Sequence, residues 1–215
     1  SFFFYGSLGF AVSLLFSGFL SYRISHKWCI VVSVSVCGVA LILAARMNSI
    51  AWIWVFLIIM GAGGGLYPGS GIATVTSIVP DEHRGKAIAL HETGPNLAFI
   101  FAPIIATLLL PLGNWRTVLT ILGISALAFT AVFVIFFRGG NVKGQAPRLG
   151  RIRVYMRSKT FWILTLYLVI AASSAIGVFS VLPSFLITER GMEESFVNNL
   201  VGISRIWGLV AVFLS

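Results

Sequence analysis

Seven apolar runs of membrane-spanning length follow one another along this 215-residue chain, and nothing else in it constrains the fold as tightly. They cover residues 1–20, 28–45, 50–79, 87–110, 118–137, 161–187 and 196–214. A helix needs about 20 such residues to cross a hydrocarbon core of about 30 Å. Inside that core every backbone N–H and C=O must be paired within the protein, which a helix does by itself. The expectation is an all-α polytopic membrane protein with seven transmembrane helices. Composition agrees: 58% of residues are hydrophobic and 10% are charged, against about 25% charged in a soluble domain. A net charge of +9 invites a nucleic-acid reading, but no run combines Lys or Arg with base-stacking aromatics. Nucleic acid is therefore not an expected partner; the lipid bilayer is.

The basic residues lie between the runs and set an orientation. Arg23 and Lys27, then Arg84 and Lys86, then Arg138, Lys143, Arg148, Arg151, Arg153, Arg157 and Lys159 occupy alternate connections, while the others hold only Arg46, Arg116 and Arg190. Because cytoplasmic loops carry the excess of Lys and Arg, the three richer connections are expected in the cytoplasm, with Ser1 outside. The connection 138–160 is the one long break and the only candidate domain boundary, and it reads as a flexible basic linker against an anionic leaflet. The chain starts in mid-membrane without Met or a charged leader, so it reads as a fragment. Cys29 and Cys37 lie about 12 Å apart along one helix, too far for a disulfide. They read as buried thiols, and no metal or other cofactor is expected.

Glycine and proline mark where helices approach or bend. Gly61, Gly65 and Gly69 recur every four residues within GAGGGLYPGSG, a small-residue face that lets a neighbouring helix come close, and Pro68 should bend the helix there. If backbone unwinds at that depth it should line a cavity, with Tyr67 and Ser70 as polar contacts. Gly94, Ala98, Ala102 and Ala106 form a second small row, interrupted by Pro95 and Pro103, and Pro183 should bend the sixth run.

Several motifs carry a resemblance. Gly18-Phe-Leu-Ser-Tyr-Arg23-Ile-Ser-His-Lys27 resembles the signature G-x-L-x-D-R-x-G-R-K of the major facilitator superfamily of secondary transporters. Gly18, Leu20, Arg23 and Lys27 match, while Tyr22 stands at the acidic position, Ser25 at the second glycine and His26 at the first of the final basic pair. Residues 80–87, PDEHRGKA, resemble the family's P-x-x-x-R-G-x-A, and Gly113-Asn-Trp115-Arg116 its G-W-R. The 87–110 run is similar to the fifth-helix pattern of the family's antiporters through Gly94 and Pro103.

The resemblance implies a twelve-helix fold of two six-helix bundles that rock about a central site. This chain would then hold the second to eighth helices. Residues 1–137 would form an N-terminal bundle lacking its first helix, 138–160 a cytoplasmic central loop, and 161–215 the start of the C-terminal bundle. Gly18, Arg23, Lys27 and Arg84 would belong to the gating motifs.

Only two charges lie inside the runs, Glu92 and Arg205. Ionisable groups in hydrocarbon are costly and are functional candidates by default. Glu92 lies about 9 Å from the inner edge and Arg205 about 13.5 Å from the outer one, so long side chains nearly close the gap between them. An Arg at this place resembles that of monocarboxylate carriers. Arg205 is expected to bind an organic anion by a bidentate contact, with Glu92 either its counter-charge in the substrate site or, with its neighbour His91, a proton-carrying group. Asn96 and Tyr67 complete the expected substrate site. Around the helix, Gly94 lies about 200° from Glu92, so the small row and the acid face different ways.

The expectation is thus a secondary transporter of a small solute, an organic anion, with protons as coupling ions. An efflux carrier for hydrophobic or cationic compounds is the rival within the family. A heptahelical receptor would need an acidic-Arg-Tyr triplet after its third span and N-P-x-x-Y in its last, and neither occurs. No run holds a Ser/His, paired-Asp or metal-ligand set for an intramembrane enzyme.

Overall fold

The structure is a computed structural model that describes residues 2–145 and 149–204. Among these residues it is entirely helical. Helices α1 (Phe2–Ile24), α2 (His26–Arg46), α3 (Ile50–Gly65), α4 (Tyr67–Ile78), α5 (Arg84–Leu109) and α6 (Trp115–Phe136) come first. They are followed by α7 (Leu149–Arg157), α8 (Lys159–Ala172), a π-helical turn at Ser173–Val178, α9 (Phe179–Thr188) and α10 (Glu194–Ser204). Among the described residues five helical spans are long and apolar enough to cross a membrane: α1, α2, α3 with α4, α5 with its flanking turns, and α6. The sixth expected span consists of two shorter apolar helices, α8 and α9, joined by the π turn. The seventh begins as α10 and extends outside the described residues. Phe16, Leu15, Phe129, Ile135 and Phe136 point outward, the reverse of a soluble domain and as expected where the solvent is lipid.

The chain divides into two compact units, residues 1–92 with 108–146, and residues 93–107 with 147–215.

In the first unit helices meet through missing side chains. The Gly61/Gly65/Gly69 face expected from the sequence packs on α1. A Cβ on Gly61 would overlap the carbonyl of Gly6, one on Gly65 would overlap Ser13 and Phe10, and one on Gly69 would sit 3.9 Å from Ser17 Oγ. Lipid tails are as apolar as leucine, so burial drives little association here, and close backbone packing and hydrogen bonds must do it. Two such bonds tie α2 to α3: Ser33 Oγ donates to Gly63 O at 2.7 Å and Cys37 Sγ to Met60 O at 3.3 Å. Both cysteines are free thiols, Cys29 fully buried.

Helices α2 and α6 run antiparallel and touch at Gly38 and Gly123, where an added Cβ would lie 2.9 Å and 2.6 Å from the opposite carbonyl oxygen. Each then holds the far end of the other. Lys27, in the first turn of α2, donates through Nζ to Phe137 O and to Val134 O at the end of α6. Arg116, in the first turn of α6, donates to Ala45 O (2.8 Å), Met47 O (2.6 Å) and Asn48 Oδ1 (3.1 Å) at the end of α2. The last carbonyls of a helix have no intrahelical partner and carry its negative dipole end, so both cations sit where they are wanted. Asn114 closes the N-terminus of α6 with a capping box completed by Thr117, a standard means of satisfying two orphan donors.

The bend expected at Pro68 is a break two residues earlier. The helix stops at Gly65, Leu66 forms a turn, and α4 starts at Tyr67 with Pro68 in its first turn, where a missing N–H costs nothing.

The connection 138–160 is not a uniform flexible linker. Its first part docks on the α1–α2 junction, with His26 N donating to Val142 O (3.1 Å), Lys27 N to Gly140 O (2.9 Å) and Gly144 N to Ser21 O (3.0 Å). Its last part is the helix α7.

In the second unit, the packing expected of the Gly94/Ala98/Ala102/Ala106 row is not what the described residues make. A Cβ on Gly94 would meet nothing within 4 Å, and Gly202 of α10 lies instead against Ile100 O and Pro103 of α5. Helix α5 is continuous through Pro95 and Pro103.

Candidate functional site

The break at Leu66 starts a new helix with Tyr67 in its first turn, and Tyr67 meets α5 there. Its Oη lies 2.9 Å from Nε2 of His91, and the two rings stack with centroids 5.8 Å apart and planes 11° from parallel. Gly71, one turn after Tyr67, makes the room: a Cβ there would come within 3.0 Å of the Tyr67 ring and 3.2 Å of His91 Nε2. The other nitrogen of His91, Nδ1, lies 3.3 Å from Glu92 Oε1. Adjacent helical residues point about 100° apart, so this contact is made by side chains leaning toward each other. His91 is mostly buried, with 16% of its side chain exposed, whereas Glu92 has 47% exposed.

The chain Tyr67–His91–Glu92 accommodates both charge states of the imidazole. An ionised carboxylate only accepts, so Nδ1–H donates to it, and Nε2 of a neutral ring accepts a hydrogen bond from the Tyr67 hydroxyl. When the ring becomes imidazolium, Nε2–H donates and the hydroxyl turns away.

Tyr67 and His91 lie on the wall of a cavity of about 440 Å³ within the first unit, otherwise lined mainly by apolar side chains such as Val75, Phe133 and Phe137. Thr74 also lines it and is buried, and its hydroxyl finds no hydrogen-bond partner among the described residues. Ser70, expected on such a wall, is instead buried, with its Oγ 3.3 Å from His26 Nδ1.

The remaining expected site residues are dispersed. Asn96, one helical turn after Glu92 on α5, is half-buried and belongs to the second unit. Arg205 lies outside the described residues. Gly18 is exposed on α1 and its carbonyl accepts from Ser21 Oγ at 3.1 Å. Arg23 is exposed in the last turn of α1. Lys27 holds the end of α6, and Arg84 ties α4 to α5 through an ion pair with Asp81 (2.8 Å) and a bond to Thr76 O (3.3 Å). Of these four, Lys27 and Arg84 hold helix ends, at different places. The His91–Tyr67 contact was not read from the sequence as a pair. Its one signal was two ring residues, each near a glycine or proline that interrupts a spanning run.

This architecture defines a multi-pass integral membrane protein with polar groups at membrane depth. The chain belongs to the Major Facilitator Superfamily, whose sequence model matches residues 2–215. It is 37% identical over 109 residues to dityrosine transporter 1 of Saccharomyces cerevisiae, covering 50% of this chain and 19% of that protein. Similarity to the niacin transporter NiaP of Acinetobacter baylyi is 27% over 123 residues, covering 57% of this chain and 28% of that protein. Similarity to the arabinose-proton symporter of Escherichia coli is 24% over 129 residues, covering 60% and 27%. The matched stretches thus span about a fifth to a quarter of these relatives' lengths. The chain is thus a transporter-family protein whose relatives above are named as transporters.

Proposed function

We propose that the protein moves a small organic acid across the membrane by alternating access, driven by protons that load on the Tyr67–His91–Glu92 chain. The observation that carries this reading is the hydrogen-bonded series Tyr67 Oη, His91 and Glu92 Oε1 beside a membrane-depth cavity. A group that changes charge there biases two packings of the protein, because charge at membrane depth is costly in one and relieved in the other. Arg205 supplies the bidentate cation for the substrate carboxylate and Asn96 a further polar contact. Gly18, Arg23, Lys27 and Arg84 order the ends of the helices that rock. Residues 1–137 act as most of one bundle and 161–215 as the start of the other. Two of the relatives are named for niacin and dityrosine, both aromatic carboxylic acids, and a third for proton symport, which supports the substrate class and the coupling.

The test is uptake by the full-length protein in proteoliposomes, with nicotinate, arabinose and a lipophilic cation as probes, with and without an imposed pH gradient. Nicotinate uptake that rises several-fold with the gradient is expected. The Glu92→Gln and His91→Gln variants, at matched abundance, should lose that gain. Preference for the cation or the sugar removes the acid assignment, and gradient-independent uptake removes the coupling.

A further inference from the structure

The end of α2 and the start of α6 enclose a cavity of about 380 Å³ within the first unit, inside the range of about 300–1,000 Å³ usual for small-molecule sites. It is separate from the cavity beside Tyr67, which lies toward the opposite ends of these two helices. Arg46, Asn114, Arg116, Thr117 and Thr120 make its polar wall.

What most of these side chains have left over is a donor. Arg116 uses three of its five N–H groups on Ala45 O, Met47 O and Asn48 Oδ1, and keeps two, on Nε and Nη2. The Trp115 ring, with its centroid 4.5 Å from the guanidinium carbon, braces the fork. Asn114 accepts twice through Oδ1, from Arg116 N and Thr117 N, so both hydrogens on its Nδ2 remain. Thr117 Oγ1 accepts from Asn114 N and keeps its hydroxyl proton, while Thr120 donates to Arg116 O. Arg46 is exposed, and its guanidinium takes no partner among the described residues.

No carboxylate answers these donors. Helices α2 and α6 and the connections 47–49 and 110–114 contain no Asp or Glu. The acids of the first unit, Asp81, Glu82 and Glu92, lie beside Arg84, His83 and His91 instead. Two guanidinium groups thus share one cavity without a counter-charge, and the field there attracts an anion. A carboxylate presents two oxygens in one plane. The donors here come from two helix ends, so a tetrahedral oxyanion, with oxygens in several directions, engages more of them. On the orientation set by the basic connections, the cavity faces the outer side.

We propose that this cavity is an anion site for a phosphate group, held by Arg46 and by the remaining N–H groups of Arg116 and Asn114. An occupant bridges the end of α2 to the start of α6 alongside the direct bonds of Arg116, and so stabilises the pair. An outer-leaflet lipid headgroup and free phosphate share this chemistry.

The experiment follows thermal unfolding of the full-length protein, stripped of lipid in detergent, with inorganic phosphate, dihexanoyl phosphatidic acid or acetate added against chloride at constant ionic strength. A saturable rise is expected with a phosphate-bearing probe, about 3–6 °C at ten times its Kd, where the folded-to-unfolded ratio grows about 11-fold. A rise with the short-chain lipid alone assigns the site to a headgroup; a rise that inorganic phosphate also gives assigns it to the free anion. Arg46→Gln breaks no bond within the described residues, so it should keep the unfolding temperature in chloride within about 2 °C and lose the rise. No rise with either phosphate probe overturns the proposal, as does an equal rise in the Arg46→Gln variant or a larger one with acetate.

Discussion

Replacing Arg116 with Ala tests the reciprocal hold between α2 and α6. The guanidinium makes three hydrogen bonds to the end of α2 and lies 4.5 Å over the Trp115 ring. A hydrogen bond from a charged donor is worth about 1.5–3 kcal/mol when nothing replaces it. Here the side chain is half-exposed, so water reaches the abandoned carbonyls, and about 0.5–1 kcal/mol per bond is the better figure. The expected loss is about 2 kcal/mol. At about 2–4 °C per kcal/mol for a domain of 150–250 residues, the unfolding temperature should fall by about 4–8 °C. The assay is thermal unfolding of the detergent-solubilised protein with a thiol-reactive dye in a Cys37→Ser background, because Cys37 is partly exposed whereas Cys29 is 1% exposed and reacts when the first unit opens. Arg116→Lys keeps the charge at the dipole end of α2, worth about 0.5 kcal/mol, but an ammonium lacks the planar fork that reaches all three acceptors. It should recover less than half of the loss. A shift within about 1 °C for the alanine variant, or full recovery by lysine, would refute the argument.

Four further variants extend the test. Ser25 has φ 83° and ψ 159°, a region costly for any residue but glycine, and its buried hydroxyl has no partner among the described residues. Ser25→Gly should therefore stabilise by about 1 kcal/mol after glycine's entropy cost is subtracted; destabilisation would show that the backbone is not strained there. Gly61→Val should abolish the folded peak in size-exclusion chromatography, because even its Cβ overlaps the Gly6 carbonyl, whereas Gly94→Ala should change stability by less than about 0.5 kcal/mol. Tyr67→Phe keeps the stacked ring and removes the hydroxyl. It should alter the pH profile of transport while the unfolding temperature stays within about 2 °C, and an unaltered profile would detach Tyr67 from the coupling chain.

How far the sequence was legible depended on whether a feature rests on local spacing. Gly61, Gly65 and Gly69 announced their shared face because the helical repeat alone puts them in line, and α1 covers that face. Pro68 announced a break near its true place, displaced to Leu66 because proline is tolerated in a first helical turn. Gly94 obeyed the same spacing yet has nothing within 4 Å of an added Cβ among the described residues, since spacing says which residues share a face and not what faces them. Helix α7 escaped because nine residues rich in arginine lack the apolar length by which spans are recognised. The holds made by Lys27 and Arg116, and the meeting of Tyr67 with His91, join residues 24 to 110 positions apart. One sequence carries no trace of such pairings.

The crossing of Gly38 with Gly123 lies between two anchored tips, so α2 and α6 have no freedom to slip lengthwise past one another. A shear of one helix along its neighbour would tear out Lys27 at one pole and Arg116 at the other. Any excursion this pair makes during a transport cycle must therefore carry both rods together, like a braced beam, and leave the bending to joints elsewhere, such as the one-residue interruption at Leu66.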